Sequence, residues 1–279
     1  MSEANRTDIQ ILVALDGSAD SLFALRSALA LAVALEGKLV GLFVEDLNLI
    51  RLAALPFARE LHLTTARFRP LSGPMIQGDI RMQASRMQRI FRAEVVAAGV
   101  PGEWRIVRGF VPDAVLTAAH EADLLVLGRS GQRALRRISL GSTARAAVLE
   151  ATRSIFLARQ APASPHRLIV TFDHTARSWH ALRLAAALAG GGEILLLLLT
   201  DSGDEAAAWQ RQLENWLARQ ELTAAYRQLA PLTLTRLLNL IQQEHCEILV
   251  IGNERLPVPP EIAVNLLAQI DCSLLLVRS

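Results

Sequence analysis

At 279 residues and 52% hydrophobic composition, the chain exceeds the usual single-domain size and can bury two cores, yet no apolar run reaches the roughly 18 residues that span a bilayer. A net charge of +2 and a pI of 8.9, carried almost wholly by arginine with Lys38 the one lysine, give no ground to expect nucleic-acid binding. The polar start MSEANRTD lacks the apolar centre of a signal peptide, so a cytoplasmic location is expected, with Cys246 and Cys272 as reduced core thiols.

In chain order, ILVALDGSADSLFALRSALALAVALEG (11–37) reads as a strand, an Asp at its end, a polar turn and a long Ala/Leu helix. Ser18 or Asp20 is the expected N-cap and Gly37 the C-terminal stop. KLVGLFVE (38–45) follows as a second strand. The stretch from Asp46 to about Gly99 is a long excursion, expected as a flap over a site or a packing surface. In it LIRLAALPFARELHL is amphipathic but cut by Pro56, FRPLSGPMIQGD reads as a loop, and a helix then runs to Gly99. On that helix Arg81, Arg86, Arg89 and Arg92 form an expected solvated face, with Met82, Met87, Ile90 and Phe91 opposite. WRIVRGFVPDAVLTAAHEADLLVLGRSG (104–131) gives a strand, a helix with His120 near its end, and a fully apolar strand of the parallel, doubly covered kind. ARAAVLEATRSIFLAR closes this half with a helix and a strand.

QAPASPH (160–166) is the expected linker, and the pattern then repeats. LIVTFDHTARSWHALRLAAALAGGG (168–192) echoes 11–37, with Asp173 for Asp16 and with Thr175 and Gly190 as cap and stop. EILLLLLT, YRQLAPLTLTRLLNLIQQEHCEILVIGNE and AVNLLAQIDCSLLLVR complete it. Five strands alternate with four helices, twice. The expected fold is therefore α/β, two tandem doubly wound five-stranded parallel sheets, residues 1–160 and 161–279.

The glycines of LGRSGQRALRRISLGST (127–143) lie where a buried strand ends and a helix begins, the place where doubly wound sheets open a ligand crevice. Gly128 and Gly131 are expected to supply positive φ and a close approach of main-chain N–H groups to an anion. Gly141, Ser142 and Thr143 open a helix whose free N–H groups and positive end favour phosphate. Neither a Walker A loop nor a Rossmann G-x-G-x-x-G is present.

With Asp16 at the end of the first strand, Gly128, two residues, Gly131, nine residues and then Gly141-Ser142, the chain resembles the universal stress protein family in its ATP-binding branch, over nearly its whole length and as two copies. The resemblance implies a Rossmann-like, adenine nucleotide alpha hydrolase-like architecture. It also implies an ATP site, with AMP, ADP and cyclic AMP as alternatives and Mg2+ as an accompanying ion, formed by Asp16, Gly17, Ser18, Val44, Gly128, Arg129, Ser130, Gly131, Gly141, Ser142 and Thr143. Arg133, Arg136 and Arg137, inside the loop, are expected to be exposed. The second copy keeps Asp173 and Gly252 but has 21 residues from Gly252 to Ser273 against 26 from Gly128 to Ser154, and Pro257, Pro259 and Pro260 replace the glycines. One nucleotide site per chain is expected. His174 and His180 read as a capping turn and a helix surface, not as metal ligands.

No Ser-His-Asp or Cys-His grouping has a recognisable context. The expected function is therefore that of a nucleotide-binding stress-response or regulatory protein, not an enzyme, or at most a slow ATPase. A scaffold that binds no nucleotide is the other alternative. Expected partners are the adenine nucleotide and an unidentified protein, with no nucleic acid and no membrane. The resemblance further implies that 155–159 pairs with 274–278 within one chain, leaving other surfaces, such as 46–99, for any homodimer.

Overall fold

Short apolar runs buried on both faces make the strands. In β1 (Gln10–Ala14) Ile11, Leu12 and Val13 are fully buried, and in β8 (Leu168–Phe172) every residue is. Successive side chains point to opposite sides of a strand, so Ile11 and Val13 enter one apolar cluster and Leu12 the other. The computed structural model describes residues 9–55, 59–62, 67–70, 72–129, 140–159, 167–189, 191–231, 233–252, 264 and 269–278.

After β1 come α1 (Ala19–Ala34), β2 (Lys38–Asp46), α2 (Leu47–Ala53), β3 (Arg59–His62), β4 (Arg67–Pro70), α3 (Gly73–Ala98), β5 (Gly102–Gly109), α4 (Val111–Ala119), β6 (Leu124–Gly128), α5 (Ser142–Glu150) and β7 (Ser154–Ala158). After β8 come α6 (Ala176–Ala189), β9 (Ile194–Leu198), α7 (Gly203–Ala218), β10 (Ala224–Gln228), α8 (Leu234–Gln243), β11 (Ile248–Ile251) and β12 (Ser273–Leu276). One sheet holds ten of these strands in the order β10-β9-β8-β11-β12-β7-β6-β1-β2-β5, and β3 with β4 forms a separate hairpin. All neighbours in the large sheet run parallel except β7 and β12, which pair antiparallel with Phe156 opposite Leu275. This is the 155–159 with 274–278 pairing that the resemblance implies. Both of those side chains are buried in a cluster drawn from each half of the sheet. Truncating a ring so placed costs about 3–5 kcal/mol, so the seam is core.

Helices α1, α3, α6 and α7 cover one face through that cluster, and α4, α5 and α8 cover the other. Strand order reverses between β1 and β6 and again between β8 and β11. No helix among the described residues is long and apolar enough to cross a membrane.

Several local expectations change. Residues 68–70 of the expected loop belong to β4, and 73–79 are already helical, because Gly73 and Pro74 open α3 at positions where a proline costs no hydrogen bond. Gly99 ends α3 in the left-handed conformation, φ 66°. Met82 is 66% exposed and shares the arginine face, whereas Met87 and Phe91 are buried. The cap of α1 is Ser18, with Asp20 in the first turn. Its left-handed residue is Glu36, not Gly37, where a Cβ would stand 2.6 Å from the Ile9 carbonyl oxygen.

Candidate functional site

A cavity of about 350 Å³ opens at the carboxyl ends of β1, β2 and β6, at the first strand-order reversal. Its floor is the turn after β1. Asp16 Oδ1 accepts the Ser18 N–H at 2.9 Å, an Asx turn that requires Gly17 at φ 78°. Ser18 Oγ then accepts the Ser21 N–H at 3.1 Å and starts α1. Asp16 and Ser18 both line the cavity.

One wall is apolar. Leu42, Phe43 and Val44 come from the end of β2, Leu15 follows β1, and Val111, Pro112 and Val115 come from the start of α4. The excursion supplies another wall through Asp46, Asn48 and Leu49 around the start of α2 and Ile80 and Gln83 on α3. Gln83 Nε2 donates to the Asp16 carbonyl, tying α3 to the β1 turn. The Arg51 guanidinium lies 5.0 Å from the centre of the Phe110 ring, a cation–π contact between α2 and the residue before α4.

The remaining wall is Gly128 with Gly141, Ser142, Thr143 and Ala144. Gly141 is the N-cap of α5 and brings no side chain to cap that helix. The first-turn N–H groups of α5 lack intrahelical acceptors, and the positive helix end lies beside them. The cavity can thus hold a flat apolar group near Val44 and an anion near Ser142 and Thr143.

Of the residues singled out in the sequence, Asp16, Ser18, Val44, Gly128, Gly141, Ser142 and Thr143 line this cavity, and Gly17 shapes its floor. Ser130 and Gly131, with Arg133, Arg136 and Arg137, lie outside the described residues. Two readings change. Gly128 has no positive φ; it is glycine because a Cβ would stand 2.8 Å from the Asp20 carbonyl carbon and the Ser21 nitrogen, where α1 crosses β6. Arg129 turns its side chain away from the cavity. It is 4% exposed, and its guanidinium donates to the Cys272 carbonyl at 3.1 Å. Burial lowers its pKa to about 10, with Arg159 nearby adding to the effect. Leu42, Leu49, Ile80, Gln83 and Val111 were not anticipated. Only the apolar stripe of α3 and the Val-Pro start of α4 signalled them, and neither says which cavity they face.

The second reversal repeats the turn with other contents. Asp173 Oδ1 accepts from the Thr175 hydroxyl at 2.6 Å and from its N–H at 3.3 Å. His174 takes the left-handed place at φ 63°, stacks on Trp209 and bonds Gln212. Asp173 is buried, and its Oδ2 has no hydrogen-bond partner among the described residues. No cluster of three metal-binding side chains occurs among the described residues.

No curated protein shows significant sequence similarity to the chain. A universal stress protein from Archaeoglobus fulgidus DSM 4304 shares the fold at TM-score 0.63 and 14% identity, over 96% of this chain and 98% of that one. A putative universal stress protein from Pseudomonas aeruginosa UCBPP-PA14 does so at TM-score 0.58 and 12% identity, over 98% and 94%. The model of the universal stress protein family matches residues 10–159, more than half of the sequence, and the chain belongs to that family.

Proposed function

We propose that the chain is a tandem universal stress protein that binds one adenine nucleotide, ATP by preference, in the cavity of residues 1–160, while residues 161–279 carry no second site. The observation that carries this reading is the meeting, in one cavity, of the apolar end of β2 with the glycine-started first turn of α5. Val44, Leu42 and Val111 suit an adenine ring, Asp16 and Ser18 suit ribose hydroxyls, and the α5 amides with Ser142 and Thr143 suit phosphates. Of these, Asp16, Ser18, Val44, Ser142 and Thr143 are residues the family resemblance assigns to the nucleotide. Mg2+ would accompany a triphosphate and neutralise part of its charge. Among the described residues at the cavity, nothing pairs a nucleophile with a general base, and the reading is regulatory. Nucleotide occupancy alters the surface around Gly128–Ser142, and a protein partner reads it.

Titration calorimetry with ATP, AMP and cyclic AMP tests this, beside Gly141→Val. The Gly141 backbone (φ −61°, ψ 154°) is one that a β-branched residue adopts freely, so the variant is expected to fold, at a cost of about 1 kcal/mol for the poorer N-cap, while losing the nucleotide. Wild type is expected to bind at one site per chain. Absence of binding by any adenine nucleotide overturns the reading in favour of a scaffold, and turnover above about 1 s⁻¹ replaces it with an enzymatic one.

A further inference from the structure

The two cysteines, 26 positions apart in sequence, meet at the amino ends of β11 and β12. The Ser273 N–H donates to the Glu247 carbonyl at 2.8 Å, in a register that sets Ile248 beside Ser273, so Cys246 and Cys272, just before β11 and β12, lie on neighbouring parallel strands with an offset of one residue. Strands about 4.8 Å apart place such residues inside the Cα separation of about 4.4–6.8 Å that a disulfide spans. Both side chains belong to the same apolar cluster. They are free and only 7% and 3% exposed, but a cavity of about 380 Å³ lined by Leu238, Ile241, Gln269 and Ile270 reaches both of them, room enough for a small peroxide.

The surrounding charges single out one sulfur. The neighbouring Cys246 thiol holds Cys272 below the ordinary thiol range against the opposing effect of burial, and the Arg129 and Arg159 guanidinium groups add to it. Cys246 is pushed upward by the neighbouring Cys272 and by burial. Of the nearby acids, Asp271 is paired with Arg159.

Arg129 also links this pair to the first cavity. Its guanidinium donates to the Cys272 carbonyl at 3.1 Å, its N–H donates to the Ala158 carbonyl at 2.8 Å, and its own carbonyl accepts the N–H of Gly141, the cap of α5, at 3.0 Å. One residue thus joins the start of β12, the end of β7 and the first turn of the helix that walls the cavity.

We propose that Cys246 and Cys272 are a peroxide-responsive dithiol, and that its closure to a disulfide displaces the Cys272 carbonyl from Arg129 and loosens the start of α5. The Cys272 thiolate attacks a hydroperoxide oxygen. The S–O bond forms as the O–O bond breaks, an alcohol or water leaves, and the sulfur is oxidised by two electrons to the sulfenic acid while the peroxide is reduced by two. The Cys246 sulfur then attacks that sulfenic sulfur. The S–S bond forms, the S–O bond breaks, and hydroxide departs with the thiol proton as water. A reducing thiol reverses the change.

The proposal does not depend on a nucleotide, and its test uses the wild-type chain alone. Stoichiometric hydrogen peroxide is expected to remove both thiols together, giving a monomer lighter by two hydrogens that dithiothreitol restores. Cys246→Ser is expected to leave a dimedone-reactive sulfenic acid on Cys272. Hydrogen exchange followed by NMR is expected to show the Gly141 amide exchanging about tenfold faster in the oxidised chain. Persistence of both thiols in the folded chain, linkage between chains, or over-oxidation of one sulfur without pairing overturns the dithiol. Equal exchange at Gly141 in the two forms overturns its link to α5.

Discussion

The turns that follow β1 and β8 share a backbone and differ in what surrounds it. Both are Asx turns with a left-handed middle residue, Gly17 in one and His174 in the other, and both lead into a helix capped by a hydroxyl, from Ser18 or from Thr175. Both helices press on a glycine at the end of a strand. A Cβ on Gly128 would meet Asp20 and Ser21, and one on Gly252 would meet the Ala181 Cβ at 2.3 Å and the Arg177 oxygen at 2.9 Å. Two residues of the nucleotide signature, the Asp and the first Gly, thus recur where the phosphate glycines are gone. They are requirements of the strand-to-helix crossing. What makes a cavity at the first turn is added to that frame: a glycine-started α5, the end of β2, and the 46–99 excursion.

The equivalence is most severely tested at the two glycines. Gly128→Val and Gly252→Val force backbone apart in the same way, and each is expected to lower stability by about 3 kcal/mol in denaturant melts. A loss confined to Gly252 would show that the role of Gly128 is ligand contact and not packing.

The caps sharpen the contrast at smaller cost. Ser18→Ala removes one N-cap and is expected to cost about 1 kcal/mol. Thr175→Ala is expected to cost about 2 kcal/mol, because it also strips the hydroxyl from a buried carboxylate whose other oxygen has no partner among the described residues. Equal costs in thermal or chemical unfolding would mean that Asp173 is satisfied some other way.

The smallest effect concerns His180, which stands on α6 where α1 carries Phe23. Burial and then Arg183 lower its pKa, opposed by Asp123 of the first half. A histidine lowered in this way binds protons more readily when unfolded. Stability is therefore undiminished above the unfolded pKa of about 6.5 and falls as pH drops through that value toward the folded one. His180→Gln is expected to flatten this loss between pH 7 and 5, by less than about 3 °C in melting temperature.

The repeated strand, Asp and hydroxyl pattern was enough to expect two five-stranded α/β halves and a capped turn after the first strand of each, because those features depend on residues a few positions apart; that the halves join into one ten-stranded sheet came from the resemblance. Val44 and Gly141–Thr143, which the resemblance points to, line the first cavity. The hairpin of β3 and β4 escaped notice because RELH and RFRP lack an apolar alternation, and Gly73-Pro74 read as a break although proline suits a helix start. Gln83 and Arg129 failed differently. Each acts on a residue far away in sequence, on Asp16 across 67 positions and on Cys272 across 143, and nothing local announces such a meeting.

The antiparallel seam of β7 and β12 also decides how the molecule responds to dilution. Between separate subunits such a junction obeys a dissociation constant and opens as concentration falls. Here its strands belong to one chain, so closure is unimolecular and the effective concentration of each half around the other stays near the millimolar range typical of short connections. The ten-stranded sheet should remain whole at nanomolar protein, and its melting temperature should not move with concentration.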